Sequence, residues 1–312
     1  MHKTAEAPRW LVWLAFANIY LVWGSTYLAI VFGLDGIPPF ILSFMRFLTA
    51  GVILFIWCLL KGESVPSVRN LSLNAVCGTL MLVGGSGLVT WAEQYISSGS
   101  AAILIATEPF WFVLLDKKCW STYFSHKLII GGLVIGFTGV ILFFVLPGKA
   151  SGMPASEEHV LAYLVLLGSS VLWVVGSLLS KRTDNQQDST VMTTAEQLMA
   201  AGVVSFIISL FTAEWSGFSV ATVSVKAWGG LAFLIVMGSL VAYLSFVWLI
   251  SVRPPALVST HTYINPVVAV LLGGLFAAES ITPGQVAALV IILIGVLLTN
   301  IPNYKKQLVT TA

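Results

Sequence analysis

The sequence predicts an all-α integral membrane protein of ten transmembrane helices, arranged as two inverted five-helix repeats with both termini cytoplasmic. Three observations predict it: a composition suited to lipid, ten apolar runs of span length, and an internal similarity separated by five spans. Of 312 residues, 9% are charged and 58% are apolar or aromatic, whereas about 25% charge is usual for a soluble domain. The mean hydropathy is +0.95. A chain this apolar needs lipid as its main solvent. At roughly 20 residues per span, ten spans use about 200 residues and leave about 110 for tails and loops. That is too little for a separate soluble domain, so an ATPase module is excluded. No G-x-x-x-x-G-K-[ST] phosphate loop occurs either.

The runs follow one another between turn signals. The first, 10–33, ends at Asp35-Gly36-Ile37-Pro38-Pro39, and the second, 38–60, at Lys61-Gly62-Glu63. The third, 71–92, and the fourth, 98–115, are parted by Ser97-Ser98-Gly99, and the fifth, 128–147, stops at Pro147-Gly148. The sixth, 159–180, runs into Lys181-Arg182, the seventh covers 191–212, and the eighth, 227–250, precedes Pro254-Pro255. The ninth is 256–277, and the tenth, 284–301, starts after Thr282-Pro283-Gly284. Gly and Pro clusters of this kind punctuate helices. The first run lacks a small-residue cleavage site and has a counterpart later in the chain, so it is a span and not a signal peptide.

Loop charge sets the orientation. With the N-terminus inside and each run crossing once, twelve basic residues lie in cytoplasmic segments: Lys3, Arg9, Lys61, Arg69, Lys117, Lys118, Lys127, Lys181, Arg182, Arg253, Lys305 and Lys306. Two, Lys149 and Lys226, lie outside, and Arg46 falls within a span. The net charge of +2 carries little information beside its distribution, and no nucleic-acid partner is expected. Cys58, Cys77 and Cys119 form no C-x-x-C pair and read as packing residues.

The repeat shows at three places in order. Met45–Ile56 (MRFLTAGVILFI) aligns with Glu196–Ile207 (EQLMAAGVVSFI) with five identities in twelve, at an offset of 151. Pro109 and Pro266 align at 157, and the GVIL at 139–142 with the GVLL at 295–298 at 156. The two halves, 10–147 and 159–301, hold five spans each. Five is odd, so the second half is expected upside down, an arrangement typical of secondary transporters with a midplane site where the halves meet.

The segments Trp23-Gly24-Ser25-Thr26-Tyr27, Arg46–Val52 (RFLTAGV) and Tyr263–Gly274 (YINPVVAVLLGG) resemble the EamA-type family of the drug/metabolite transporter superfamily. Thr90-Trp91-Ala92-Glu93 and Pro254-Pro255-Ala256-Leu257 are most similar to its YedA-like branch. The resemblance spans about residues 10–301. It implies a ten-helix, two-repeat permease of the bacterial inner membrane, usually an exporter, with substrates that range over amino acids, nucleosides, dyes and drugs.

Ionisable groups in mid-span cost about 2.5–3.5 kcal/mol on insertion scales and normally face a cavity or a partner. Arg46 and Glu108 fall at similar depth, where they would form a structural ion pair, or else Arg46 would hold an anionic substrate group and a carboxylate a coupling proton. The repeat sets Gln197 opposite Arg46 and Asn265 opposite Glu108, with Glu196 beside Gln197. His261 shares a helical face with Asn265 and reads either as a packing residue or, with Glu108 and Glu196, as a proton-coupling candidate. Tyr20, Trp23 and Tyr27 form one stripe. Trp23 and Tyr27, with Trp91, Trp173 and Tyr263, are candidates to line a substrate pocket. Trp10, Trp13, Trp57, Trp215 and Trp228 read as interfacial anchors. His2, His126, His159 and His261 show no metal-ligand spacing, and no cofactor or metal is expected.

The leading expectation is a non-enzymatic secondary transporter that exports a small organic metabolite or drug by alternating access, coupled to protons through those candidates; an uptake permease or uniporter for amino acids or nucleosides is the alternative. A membrane enzyme would need a nucleophile with its base, a metal cluster or paired acids, and Glu157-Glu158 in a loop supply none. A receptor or assembly factor would need more extramembrane surface than these loops offer. Spans 5 and 10, the most uniformly apolar, would brace the periphery or form a homodimer contact. The partners expected are a small-molecule substrate and the lipid bilayer.

Overall fold

A computed structural model describes residues 8–145, 157–183, 189–253, 255–279 and 282–310. His2, Lys3, Pro147, Gly148, Lys149 and Pro254, used above, lie outside them. The long helices in chain order are α1 (Arg9–Leu34), α2 (Pro39–Leu60), α3 (Val68–Ala92), α4 (Ser98–Leu115), α5 (Lys127–Phe143), α6 (Glu157–Arg182), α7 (Thr190–Phe211), α8 (Val225–Val252), α9 (His261–Phe276) and α10 (Pro283–Thr299). Seven are long and apolar enough to cross a bilayer; α5, α9 and α10 are shorter apolar helices.

Serine starts four of them. Ser67, Ser97, Ser189 and Ser224 each accept a hydrogen bond from the backbone N–H three residues on, at 3.0–3.3 Å, which satisfies one of the orphan donors of a helix N-terminus. Large apolar side chains such as Leu21, Val134, Leu271 and Leu275 are exposed on the outside, as a lipid-facing surface requires. The five tryptophans expected as anchors are also exposed.

Packing is dominated by contacts between the two halves: α2 on α7, α5 on α10, α3 on α6, and α1 on α8 and α9. Glycine permits the closest approaches, and these repeat with the sequence offset. A Cβ on Gly51 would lie 2.7 Å from the Met199 backbone nitrogen, and one on Gly202 would lie 2.6 Å from that of Leu48. Gly51 and Gly202, like Leu48 and Met199, are 151 residues apart. At α5 and α10 the pairs are Gly139 against Ile292 and Gly295 against Gly136, again related by 156. Small residues let membrane helices meet backbone to backbone.

Three helices depart from α geometry. Asn18–Val22 in α1, Thr79–Gly87 in α3 and Leu234–Tyr243 in α8 are π-helical, a form that frees carbonyls and frequently marks functional sites. Helix α4 is interrupted at Ala106–Thr107, so Glu108 begins a new segment with Pro109 at its second position. Pro109 explains the stop, because it lacks the donor a continuous helix needs. Its repeat equivalent Pro266 instead sits inside continuous α9.

The loops of one face are tied across the halves by carboxylates. Glu214 accepts from the backbone N–H groups of Phe40 and Ile41 at 3.0 and 2.9 Å, at the start of α2. Glu279 accepts from Ser98 N at 3.0 Å, Ser98 Oγ at 2.7 Å and Gly99 N at 3.3 Å, at the start of α4. Anionic groups are favoured there by the helix dipole. On the opposite face Ser189 Oγ donates to Glu63 at 2.7 Å, and Lys181 donates to the carbonyls of Ile250 and Arg253, both at 2.8 Å. Burial lifts the Glu214 carboxyl above its ordinary range, outweighing the backbone N–H groups that favour its ionised form. The folded chain therefore holds that proton more tightly than the unfolded one, and the contribution to stability is lost as pH rises through the raised value. Glu214→Gln, neutral throughout, should remove that dependence. The melting temperature of the variant is expected to change less between pH 5 and pH 7 than that of the unaltered chain.

Candidate functional site

The freed carbonyls and the broken helix meet in the middle of the bundle. Trp23 Nε1 donates to the Gly238 carbonyl in the π-helical part of α8, at 3.2 Å. The Asn265 amide fits best with its nitrogen toward the carbonyls of Tyr20 (2.9 Å), His261 (3.0 Å) and Ile19 (3.2 Å) and its oxygen accepting from His261 Nδ1 at 3.1 Å. That arrangement puts the imidazole proton on Nδ1 and leaves Nε2, buried and without a hydrogen-bond partner, as an acceptor. The Trp23 ring meets Trp173 edge-on at 5.4 Å, His261 at 4.9 Å and Phe246 at 5.1 Å.

These groups border a cavity of about 70 Å³, room for a few waters and well below the ~300 Å³ at which pockets for organic ligands begin. Its walls come from both halves. α1, α2, α3 and α4 supply Trp23, Tyr27, Arg46, Ser86 and Glu108; α6, α8 and α9 supply Trp173, Tyr243, His261 and Asn265. Arg46, 5% exposed, donates from Nε to Ser239 Oγ at 3.0 Å and from Nη1 to Ser86 Oγ at 3.3 Å, so it joins α8 to α3. Its guanidinium also lies 5.0 Å from the Phe47 ring centroid. The structure thus gives Arg46 two hydroxyl partners, and among the described residues the one ion pair within 4 Å is Arg182–Asp116, at 3.9 Å on a loop face.

Of the residues singled out in the sequence, Trp23, Tyr27, Arg46, Glu108, Trp173, His261 and Asn265 come together here. Four do not line this cavity. Gln197 is buried beneath it, accepting from Tyr243 OH at 2.6 Å and donating to Ser180 at 3.2 Å. Glu196 turns toward a separate apolar groove between α2, α3 and α7, where it accepts from Asn74. Trp91 packs on Tyr95 at 5.1 Å near the end of α3. Tyr263 donates to the Val296 carbonyl at 3.3 Å, on the α10 side of α9. Their residue types made each a candidate, but position along the helix and rotation about its axis decide which side chains face the cavity.

Sequence reasoning missed Tyr243, Ser86, Ser239 and Glu93. The serines are too common to stand out, and Tyr243 sits in a run of apolar residues. Glu93 stood in the Thr90–Glu93 motif, one residue past the run 71–92, and was given no role there. It is 7% exposed, with no hydrogen-bond partner for either carboxylate oxygen.

The profile of the EamA-like transporter family matches residues 9–145 and again 160–301. The inner membrane transporter YedA of Escherichia coli K12 is 35% identical over 93% of this chain and 90% of its own length. A probable terminal-alkyne amino-acid exporter of Streptantibioticus cattleyicolor is 27% identical over 93% of each chain. A Chlamydia trachomatis S-adenosylmethionine/S-adenosylhomocysteine transporter is 24% identical over 96% of this chain and 92% of its own. A crystal structure 18% identical in sequence superposes with a TM-score of 0.67, over 95% of this chain and 99% of that one, so the fold is shared. Like YedA, the protein is placed in the inner membrane as a multi-pass protein. With both halves matched, the chain belongs to the EamA-like transporter family.

Proposed function

We propose that the protein is a secondary transporter that exports a small organic solute by alternating access, using a proton gradient. Ten spans in two inverted repeats, with the Lys61-bearing face cytoplasmic, are part of this reading. The observation that carries it is the cavity walled by both halves, with Arg46, Glu108, Trp23 and Trp173 buried around it. A site shared between two halves changes its access when one half rocks against the other. In the present conformation the cavity is small, and Glu214 and Glu279 tie the halves together on one face. Their release would open that side.

Names of relatives favour export of amino-acid-like solutes: one is called a terminal-alkyne amino-acid exporter. Another is called a transporter of S-adenosylmethionine and S-adenosylhomocysteine, which keeps uptake or exchange as the second reading. The test is flux in proteoliposomes with an internal pH indicator, across amino acids, nucleosides and cationic dyes. Solute movement with an accompanying pH change is expected. Movement without one would make the protein a uniporter, and no movement from folded protein would overturn transport. Glu279→Ala, which frees the start of α4, is expected to speed cysteine labelling at position 100 (Ser100→Cys) severalfold, as a direct readout of that face opening.

A further inference from the structure

We propose that His261 is the residue that reads the solute: its neutral imidazole, with the proton on Nδ1, offers Nε2 as an acceptor to a hydroxyl or carboxamide group. This rests on the transporter reading above and adds to it a specificity-determining residue, a positioning residue and a substrate class. It also gives His261 a role other than carrying the coupling proton.

The lock on the ring begins in the backbone of α1. Ile19 and Tyr20 lie in the π-helical turn Asn18–Val22, and their carbonyls, with that of His261, surround the Asn265 amide nitrogen at 2.9–3.2 Å. Two N–H hydrogens are shared among three oxygens. The reverse orientation would set the amide oxygen against those three oxygens with no donor between them. Asn265 is 2% exposed, so bulk solvent does not relieve that repulsion. The amide oxygen is thereby held at 3.1 Å from His261 Nδ1 and accepts the ring proton. The hydrogen bond made by one ring nitrogen sets the state of the other, which leaves Nε2 with its lone pair.

Packing holds the ring in place. It stands edge-on to Trp23 at 4.9 Å and to Phe246 at 6.0 Å, and His261 is 3% exposed in the wall of the cavity between the halves. Nε2 has no hydrogen-bond partner in the protein. The charged and titratable groups of the same wall are Tyr27, Arg46, Glu108 and Tyr243. None of them bonds to either ring nitrogen.

Trp173 supplies the complement. Its Nε1 is likewise buried without a partner and is a donor only. Its ring packs on Trp23 at 5.4 Å, as that of His261 does. One unmet acceptor and one unmet donor suit a group that both gives and takes a hydrogen bond. Hydroxyl and carboxamide groups do so, whereas an ether only accepts and an ammonium only donates. A site built around a hydrogen bond rejects the analogue that cannot make it, because the buried polar atom is then left unpaired.

The test uses purified full-length protein in detergent at pH 7, labelled with nitrogen-15 histidine, with 2-phenylethanol and its methyl ether as probes. His261→Phe, which keeps an aromatic ring in place, identifies the His261 resonances by their loss. The expected spectrum shows one protonated and one bare nitrogen for this residue, the bare one being Nε2. The alcohol is expected to shift that resonance and to quench tryptophan fluorescence with an affinity about tenfold above that of the ether, the equivalent of one hydrogen bond. His261→Phe is expected to bind both probes equally. Asn265→Leu is expected to mix the two tautomers and to lose part of the preference. Should the variants fail to fold, the unaltered protein still decides, because the alcohol must move the bare nitrogen of one histidine and the ether must not. A proton on Nε2 overturns the proposal, as does a proton on both nitrogens. Equal or tighter binding of the ether, an alcohol preference that survives in His261→Phe, or binding of neither probe overturns it too. The flux assay above is independent of these readings and shows separately whether transport survives.

Discussion

Replacing Arg46 with methionine is expected to lower solute flux in proteoliposomes by at least a hundredfold while the protein still inserts and remains monodisperse. Arg46 joins Ser239 of α8 to Ser86 of α3 at the cavity wall. Hydrogen bonds involving a charged group contribute about 1.5–3 kcal/mol each, so both the relative placement of α3 and α8 and the electrostatics of the cavity depend on this side chain. Methionine preserves most of the apolar stem and keeps the α2 packing. Arg46→Lys retains the charge without the planar fork and can reach only one serine well; it is expected to recover part of the flux. Normal flux in Arg46→Met, with intact folding, would move the site elsewhere.

Replacing Gly51 or Gly202 with leucine is expected to prevent recovery of folded protein altogether. At each position a Cβ would meet backbone atoms of the partner helix within 2.6–2.8 Å, namely Met199 N (2.7 Å) for Gly51 and Leu48 N (2.6 Å) for Gly202. Overpacking among side chains costs about 1–3 kcal/mol because they can shift. Here the obstacle is main chain, and the α2–α7 contact must separate. Gly131 and Gly168 are the controls, since nothing lies within 4 Å of a Cβ at either; their alanine variants should elute and melt as the unaltered chain does. Size-exclusion chromatography with a thermal melt of the surviving fraction checks both. If Gly51→Leu is recovered at normal yield, the two halves do not meet as described.

How much of the site could be read beforehand depends on the kind of signal. Arg46, Glu108 and His261 were found because an ionisable group inside an apolar run is expensive wherever the helix turns. Trp23 and Trp173 were found as aromatic rings within spans, yet the same reasoning also chose Trp91 and Tyr263, which point to other neighbours. Glu93 was passed over because a carboxylate at a span end looks solvated until the tertiary fold buries it at 7% exposure.

By itself the sequence determined the class of protein and the pairing of its parts. Apolar runs cross lipid as helices because their backbone groups cannot be left unsatisfied there, and a repeat of similar segments lets equivalent glycines admit the partner helix, Gly51 toward Met199 and Gly202 toward Leu48. Only the tertiary structure decided which polar groups share a cavity. That choice depends on helix rotation, on π-helical turns at 79–87 and 234–243 and on the break before Glu108. Pro109 accounts for the break, but rotation and the π-helical turns are not set by the apolar pattern of a single helix, because they depend on the helices packed against it.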